Sequence, residues 1–307
     1  MIKCNNIWFR EKTCRINGQD SIDMNGLGTA LYVVMTRKCN TECKFCEFHN
    51  NCEYSFNVEK FKKVFSWLNS FCNVHTVHFT GGEPTIELNK LKEVLKYVKS
   101  IDKNIKTSVN TNGTRLNNLA GIQELDNIAL SRHDISDTDN QEIFGNKGIV
   151  PTTKEISEFA DKKKIHLSCN LIKGHIDTEN KIFDFLEFAS SIDINDVGFV
   201  SLMGVNKYCT DNFVDFESIE PHNNNRLTKT KCTSNISEVT HEECCRCANY
   251  LYRSHDNKII SAYHRFAVKS SEVSDYLVYE NDELKQGFSG QPIRKEKTQN
   301  GWVKIQS

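Results

Sequence analysis

The sequence predicts an α/β protein organised as a partial (β/α)6 TIM-like barrel with a small Cys-rich C-terminal extension. Three observations point there. Six short, mostly apolar runs alternate with longer stretches of helical periodicity. The runs are apolar almost throughout, as strands covered on both faces are. Chemically distinctive residues also gather where the first two runs end.

The first run is TALYVVMT, residues 29–36, followed by a loop rich in cysteine. Asn57 stands as an N-cap before VEKFKKVFSWLNSF, whose apolar residues recur at helical spacing. VHTVHFT, residues 74–80, is the second strand, and it ends in Gly81-Gly82-Glu83-Pro84. LNKLKEVLKYVKSI is an amphipathic helix. IKTSVNTNG gives a third strand and turn, LDNIALS at 125–131 a fourth, and IHLSCNLI at 165–172 a fifth. A helix over about Glu179 to Ser190 leads to the sixth, VGFVSLMG, residues 197–204. Repeated β/α units imply a parallel sheet with right-handed crossovers. Six units fall short of the eight of a closed barrel, and functional loops are expected at the C-terminal ends of the strands. Beyond about Gly204 the chain turns polar, and YLYRSHDNKIISAYHRF reads as two strands joined at Asp256-Asn257. The expected organisation is an N-terminal segment over 1–28, the barrel over 29–205 and a C-terminal extension over 206–307.

The 307 residues carry 39 basic and 40 acidic side chains, a net charge of -1, which favours neither nucleic acid nor a membrane as partner. The N-terminus has no signal-peptide pattern and no run is long enough to span a bilayer, so a cytoplasmic location is expected. Thirteen cysteines in such a chain argue for metal ligation rather than a disulfide framework.

Cys39, Cys43 and Cys46 lie in one loop directly after the first strand, with three and then two residues between them. Thiolates hold iron–sulfur clusters. Three of them can hold three irons of a 4Fe–4S cube and leave the fourth iron open to a ligand. Zinc is the alternative, with His49 or Cys52 as a fourth ligand. One β/α unit later, the glycines of Gly81-Gly82-Glu83-Pro84 let backbone come close to a ligand, and the carboxylate can pair with a cation.

The spacing of these cysteines, with Phe45 before the last of them, and the Gly-Gly-Glu-Pro turn together resemble the radical S-adenosylmethionine superfamily. The resemblance covers about residues 28–205. It is nearest the branch containing the molybdenum-cofactor GTP 3′,8-cyclase and the peptide-modifying enzymes with Cys-rich C-terminal domains. It implies a 4Fe–4S cluster on Cys39, Cys43 and Cys46, reductive cleavage of S-adenosylmethionine, and hydrogen abstraction from substrate by the 5′-deoxyadenosyl radical. It implies a flavodoxin- or ferredoxin-type reductant. It places Phe45 beside the cofactor, and Gly81, Gly82, Glu83 and Pro84 at its methionyl end. By the same resemblance Asn110, Ser131, Asn170 and Met203, at the ends of the third to sixth strands, contact the cofactor. No catalytic residue beyond these is assigned.

Cys209, Cys232, Cys244, Cys245 and Cys247 form a C-terminal set that could ligate a second iron–sulfur cluster, with zinc or free thiols as the alternatives. Cys4, Cys14, Cys52, Cys72 and Cys169 read as packed thiols. The short stretch ahead of the first strand favours a small-molecule substrate, a nucleoside, sugar or amino acid, over a ribosomal peptide. The reading of another class is an iron–sulfur electron carrier or sensor. Such a protein would have no need of a turn that holds a methionyl ammonium.

Overall fold

The computed structural model describes residues 2–4, 7–9, 28–46, 54–220, 225–230, 232–234, 237–239, 247–265, 276–288, 290 and 292–293. A hairpin of β1 (Ile2–Cys4) and β2 (Ile7–Phe9) opens the chain. The alternating region then runs β3 (Gly28–Thr36), α1 (Val58–Asn69), β4 (Asn73–Gly81), α2 (Leu88–Ile101), β5 (Lys106–Thr111), β6 (Asn127–Ser131), α3 (Asp137–Phe144), α4 (Thr153–Ser157), β7 (Ile165–Leu171), α5 (Glu179–Ser191) and β8 (Asp196–Ser201). After the short α6 (Lys207–Asp211) come β9 (Leu227–Thr230), β10 (Cys232–Ser234), β11 (Ser237–Val239), β12 (Cys247–Arg253), β13 (Ile259–Arg265), β14 (Tyr276–Glu280) and β15 (Glu283–Gln286).

Every described α-helix except α2 starts where the sequence supplies a side-chain acceptor for an orphan N–H. Asn57, Ser136 and Thr178 accept from the backbone of Lys60, Asp139 and Lys181, and Thr152 forms a capping box with Glu155. The stripes Phe61, Val64, Phe65, Leu68 on α1 and Leu91, Val94, Leu95, Val98 on α2 are buried. Complete burial of each such side chain is worth about 1.5–3 kcal/mol. They pack with Leu31, Val33, Val77, Phe79, Val109, Ile128 and Leu167, which alternate along the strands and form one face of the sheet. Residues of the opposite parity form the other face. There the register sets Tyr32 beside His78, His78 beside Ser108, and Ser108 beside Asn127, a polar row across four strands.

β3 to β8 pair in parallel in chain order, as the alternation predicts. The sheet does not stop at residue 205. β13 joins β8 in parallel, β14 joins β3 in parallel, and β15, β12 and β9 complete an eleven-stranded order β15-β14-β3-β4-β5-β6-β7-β8-β13-β12-β9. β9 and β12 to β15 therefore extend both edges of the barrel sheet, while β10 and β11 pair as a separate hairpin. Buried Glu280 on β14 fixes one of these joins: it accepts from Arg37, just past β3, and from Lys285 at 2.9 Å. The expected turn at Asp256-Asn257 is present, with Asn257 at φ 62°.

Candidate active site

The loop carrying Cys39, Cys43 and Cys46 leaves the C-terminal end of β3. The Cys46 amide donates to the Cys43 carbonyl at 3.0 Å. Thr41 Oγ1 lies 3.2 Å from Cys39 Sγ and 3.6 Å from Cys43 Sγ. Burial pushes the Cys43 thiol up to about 12, and the neighbouring Cys46 and Cys39 add to this against the Thr41 hydrogen bond. Three thiols that feel one another's charge repel as thiolates, which a cationic metal group relieves. Among the described residues no three His, Cys, Asp or Glu converge on one point as a single ion requires. Three thiols on one loop are the donor set that three corners of an iron–sulfur cube take, and His49 and Cys52, the fourth ligands that zinc would need, lie outside the described residues.

The Gly-Gly-Glu-Pro turn is built against this loop. Gly82 N donates to Thr36 O at 2.7 Å and Glu83 N to Lys38 O at 2.9 Å. A Cβ on Gly81 would stand 2.2 Å from Thr36 O, and one on Gly82 2.2 Å from Lys38 O. Gly81 also sits at φ 137°, where side chains are disfavoured. The glycines thus bring two stretches of backbone together.

Glu83 follows the two glycines. Its carboxylate is fully buried and turned inward. It accepts from Thr85 N (3.0 Å), Thr85 Oγ1 (2.6 Å), Thr111 Oγ1 (2.9 Å) and Asn112 N (2.8 Å). Burial pushes its pKa up, and these donors pull the other way. Oε1 takes both Thr85 donors and shares the Thr111 hydroxyl with Oε2, which also takes the Asn112 amide, so the network holds the carboxylate in place. Thr111 and Asn112 belong to the same strand-end turn as the predicted Asn110. Asn112 continues the connection: its Nδ2 donates to Asn40 Oδ1 at 2.9 Å and lies 3.8 Å from Cys39 Sγ. Pro84 is buried at the start of the 3-10 turn Pro84–Glu87.

Asn110, Ser131 and Asn170 stand half-buried at the C-terminal ends of β5, β6 and β7. No described residue hydrogen-bonds to any of their side chains. Arg132, next to Ser131, is buried and spent on structure. It donates to the carbonyls of Asp134 (2.7 Å) and Ile135 (2.8 Å) and pairs with Asp137 at 2.8 Å. His133 is 2% exposed, stacked on Phe144 and edge-on to Phe45. Its Nδ1 accepts from Asn170 N at 3.0 Å, which leaves the proton on Nε2. Burial, then Arg132, lower its pKa to about 3.

Met203 lies past the end of β8, 63% exposed, because the strand stops at Ser201 and a turn closes with Val205 N on Met203 O. Cys209 is 1% exposed, its thiol donating to Phe45 O at 3.3 Å, so it is occupied under the cysteine loop. Cys232 and Cys247 begin β10 and β12, which belong to different sheets but approach each other; their side chains fall outside the described residues, as do Cys244, Cys245, His49, Cys52 and Cys14. Cys4 is placed only in the backbone of β1. Cys72 and Cys169 are buried, as packed thiols should be. No described helix is long and apolar enough to cross a membrane.

The model of the Radical SAM superfamily matches residues 33–189, a span that includes the three thiols, the glycine turn and the polar ends of β5 to β7. The chain is 26% identical over 284 residues to a probable GTP 3′,8-cyclase of Sulfolobus acidocaldarius, covering 83% of this chain and 88% of that protein. Among solved structures, SuiB of Streptococcus suis bound to S-adenosylmethionine is similar at a TM-score of 0.49 and 17% identity, over 64% of this chain and 44% of SuiB. The enzyme anSMEcpe with bound AdoMet and a peptide gives 0.44 and 17%, over 59% of this chain and 55% of that one. The chain spans about half the length of those two solved proteins. With the cysteine loop, its glycine buttress and more than half of the sequence inside one family match, this chain belongs to the radical SAM superfamily of enzymes.

Proposed function

We propose that the enzyme abstracts a hydrogen atom from a small molecule, a nucleoside, sugar or amino acid, held over the helix-free face of the sheet. The observation that carries this reading is the set of uncommitted polar side chains, Asn110, Ser131 and Asn170, at the strand ends next to the thiol loop. The polar row Tyr32, His78, Ser108 and Asn127 on the same sheet supports it. So does similarity to a probable nucleotide cyclase over most of both chains.

Cys39, Cys43 and Cys46 would hold the 4Fe–4S cluster. The backbone of Gly81–Glu83 would receive the methionyl end of S-adenosylmethionine, with the Glu83 carboxylate bracing it from behind. Asn110, Ser131 and Asn170 would orient the rest of the cofactor or the substrate. When bound, the cluster supplies the electron that cleaves S-adenosylmethionine. Residues 29–205 carry this machinery, and the C-terminal strands complete the sheet that supports it. Cys232, Cys244, Cys245 and Cys247 would supply a second iron–sulfur cluster, while the Cys209 thiol rests on the Phe45 carbonyl.

The test is anaerobic reconstitution with iron and sulfide, with and without a Cys39/Cys43/Cys46 triple Ala substitution. It is followed by assay of 5′-deoxyadenosine after dithionite reduction, with nucleotides, sugars or amino acids added. About eight irons falling to about four would support two clusters, and about four falling to none would leave one. Stimulation of 5′-deoxyadenosine by a nucleotide, sugar or amino acid is expected. Stimulation by peptides alone would overturn the substrate class, and no 5′-deoxyadenosine at all would overturn the reaction.

A further inference from the structure

We infer that Asn206 and Cys209, from the segment after β8, form a latch that fixes the turn between Cys43 and Cys46. The inference rests on the reading of Cys39, Cys43 and Cys46 as cluster ligands. Two residues separate the second and third thiols, and both of their carbonyls are tied to this one segment. Lys44 O accepts from Asn206 Nδ2 at 3.0 Å, and Phe45 O accepts from Cys209 Sγ at 3.3 Å. The partners are 162 and 164 residues apart in sequence, so the contacts exist only in the folded chain.

The peptide unit is planar and trans, so its C=O and N–H point opposite ways. Holding Lys44 O and Phe45 O on α6 therefore turns the amides of Phe45 and Cys46 away from α6. The Cys46 amide closes on Cys43 O at 3.0 Å. The orientation of amides around thiolates is one of the factors that set the potential of an iron–sulfur cluster.

The Cys209 half of the latch is buried, whereas the Asn206–Lys44 bond lies at the surface. Cys209 packs with Ile143, Ile172 and Leu202, against Phe45 and Tyr208. Without its S–H, the Phe45 carbonyl loses its partner in an apolar setting. Asn206 has two functions that can be separated. Its Oδ1 caps α6 by accepting from Cys209 N at 2.9 Å, and its Nδ2 holds Lys44.

The experiment uses reconstituted holoenzyme carrying Asn206→Asp, Cys209→Ala or Cys209→Ser. Asn206→Asp keeps the helix cap and loses the donor to Lys44. Cys209→Ser keeps a donor to Phe45. Cluster loss to a chelator and the EPR spectrum of the reduced cluster are measured, with thermal unfolding of each variant recorded in parallel. We expect Asn206→Asp and Cys209→Ala each to lose the cluster about five-fold faster, the factor for one net hydrogen bond, with a shifted EPR spectrum. Cys209→Ser is expected to restore wild-type behaviour. Wild-type rates and spectra in both Asn206→Asp and Cys209→Ala would overturn the latch. Loss of about four irons in Cys209→Ala would overturn it too, by making Cys209 a ligand. If the wild type took up no iron, the cluster reading itself would fall, and the latch with it.

Discussion

Replacing Glu83 with Gln separates two roles for the most buried carboxylate of the site. The side chains are nearly isosteric, so no cavity forms. In the wild type, four donors meet the carboxylate: two from Thr85, the Thr111 hydroxyl and the Asn112 amide. Glutamine can keep its oxygen on the Thr85 side, but its NH2 then faces the Asn112 N–H, donor against donor. A buried N–H without a partner costs about 1–3 kcal/mol, and bonds to a charged group are worth about 1.5–3 kcal/mol. The expected destabilisation is therefore about 2–4 kcal/mol, a large share of the roughly 5–15 kcal/mol that holds a domain together. At about 2–4 °C per kcal/mol, Tm should fall by roughly 5–15 °C. Thermal and urea unfolding of the metal-free protein would measure it. Thr111→Val and the double variant would form a cycle expected to show coupling, because both changes strike the same network. If Glu83→Gln unfolds like wild type and only weakens S-adenosylmethionine binding, the carboxylate meets the cofactor, and the inward strut described here is wrong.

Gly82→Ala would drive a Cβ to 2.2 Å from Lys38 O, parting the turn from the exit of β3; iron uptake by the folded protein should drop several-fold, and wild-type uptake would refute the buttress. His133, with its pKa lowered to about 3 in the fold, stays neutral while the unfolded chain takes up a proton near pH 6.5. Its contribution is thus complete above pH 6.5 and is lost as pH falls toward 3, by about 2 kcal/mol at pH 5. The urea midpoint of His133→Gln should accordingly change less between pH 7 and pH 5 than that of wild type. Equal slopes would show that the imidazole is not buried neutral. Arg132→Lys removes the planar fork that spans Asp134, Ile135 and Asp137 and should cost about 3 kcal/mol or more in unfolding free energy. A change within about 0.5 kcal/mol would mean that the guanidinium is not the strut of that loop.

The sequence by itself determined what local pattern can encode. Apolar runs and helical stripes predicted six parallel strands and their helices, and Asn57 capped the helix it was expected to cap. The Cys39/Cys43/Cys46 spacing and the Gly81-Gly82 turn marked the site, because both depend on residues a few positions apart. Tertiary structure alone decided the rest. Glu83 stands out in the sequence for its place in the turn, but its partners Thr111 and Asn112 arrive from the end of the next strand, 28 and 29 residues on, and brace the carboxylate. Cys209 read as one of a C-terminal set of ligands, yet folding sets it beneath Phe45, 164 residues back. The sheet was expected to end near residue 205, yet β13 and β14 return to pair with β8 and β3. In each case the deciding interaction is a hydrogen bond between groups far apart in the chain. Periodicity and spacing register which face a residue takes, but not which distant backbone or side chain will come to meet it.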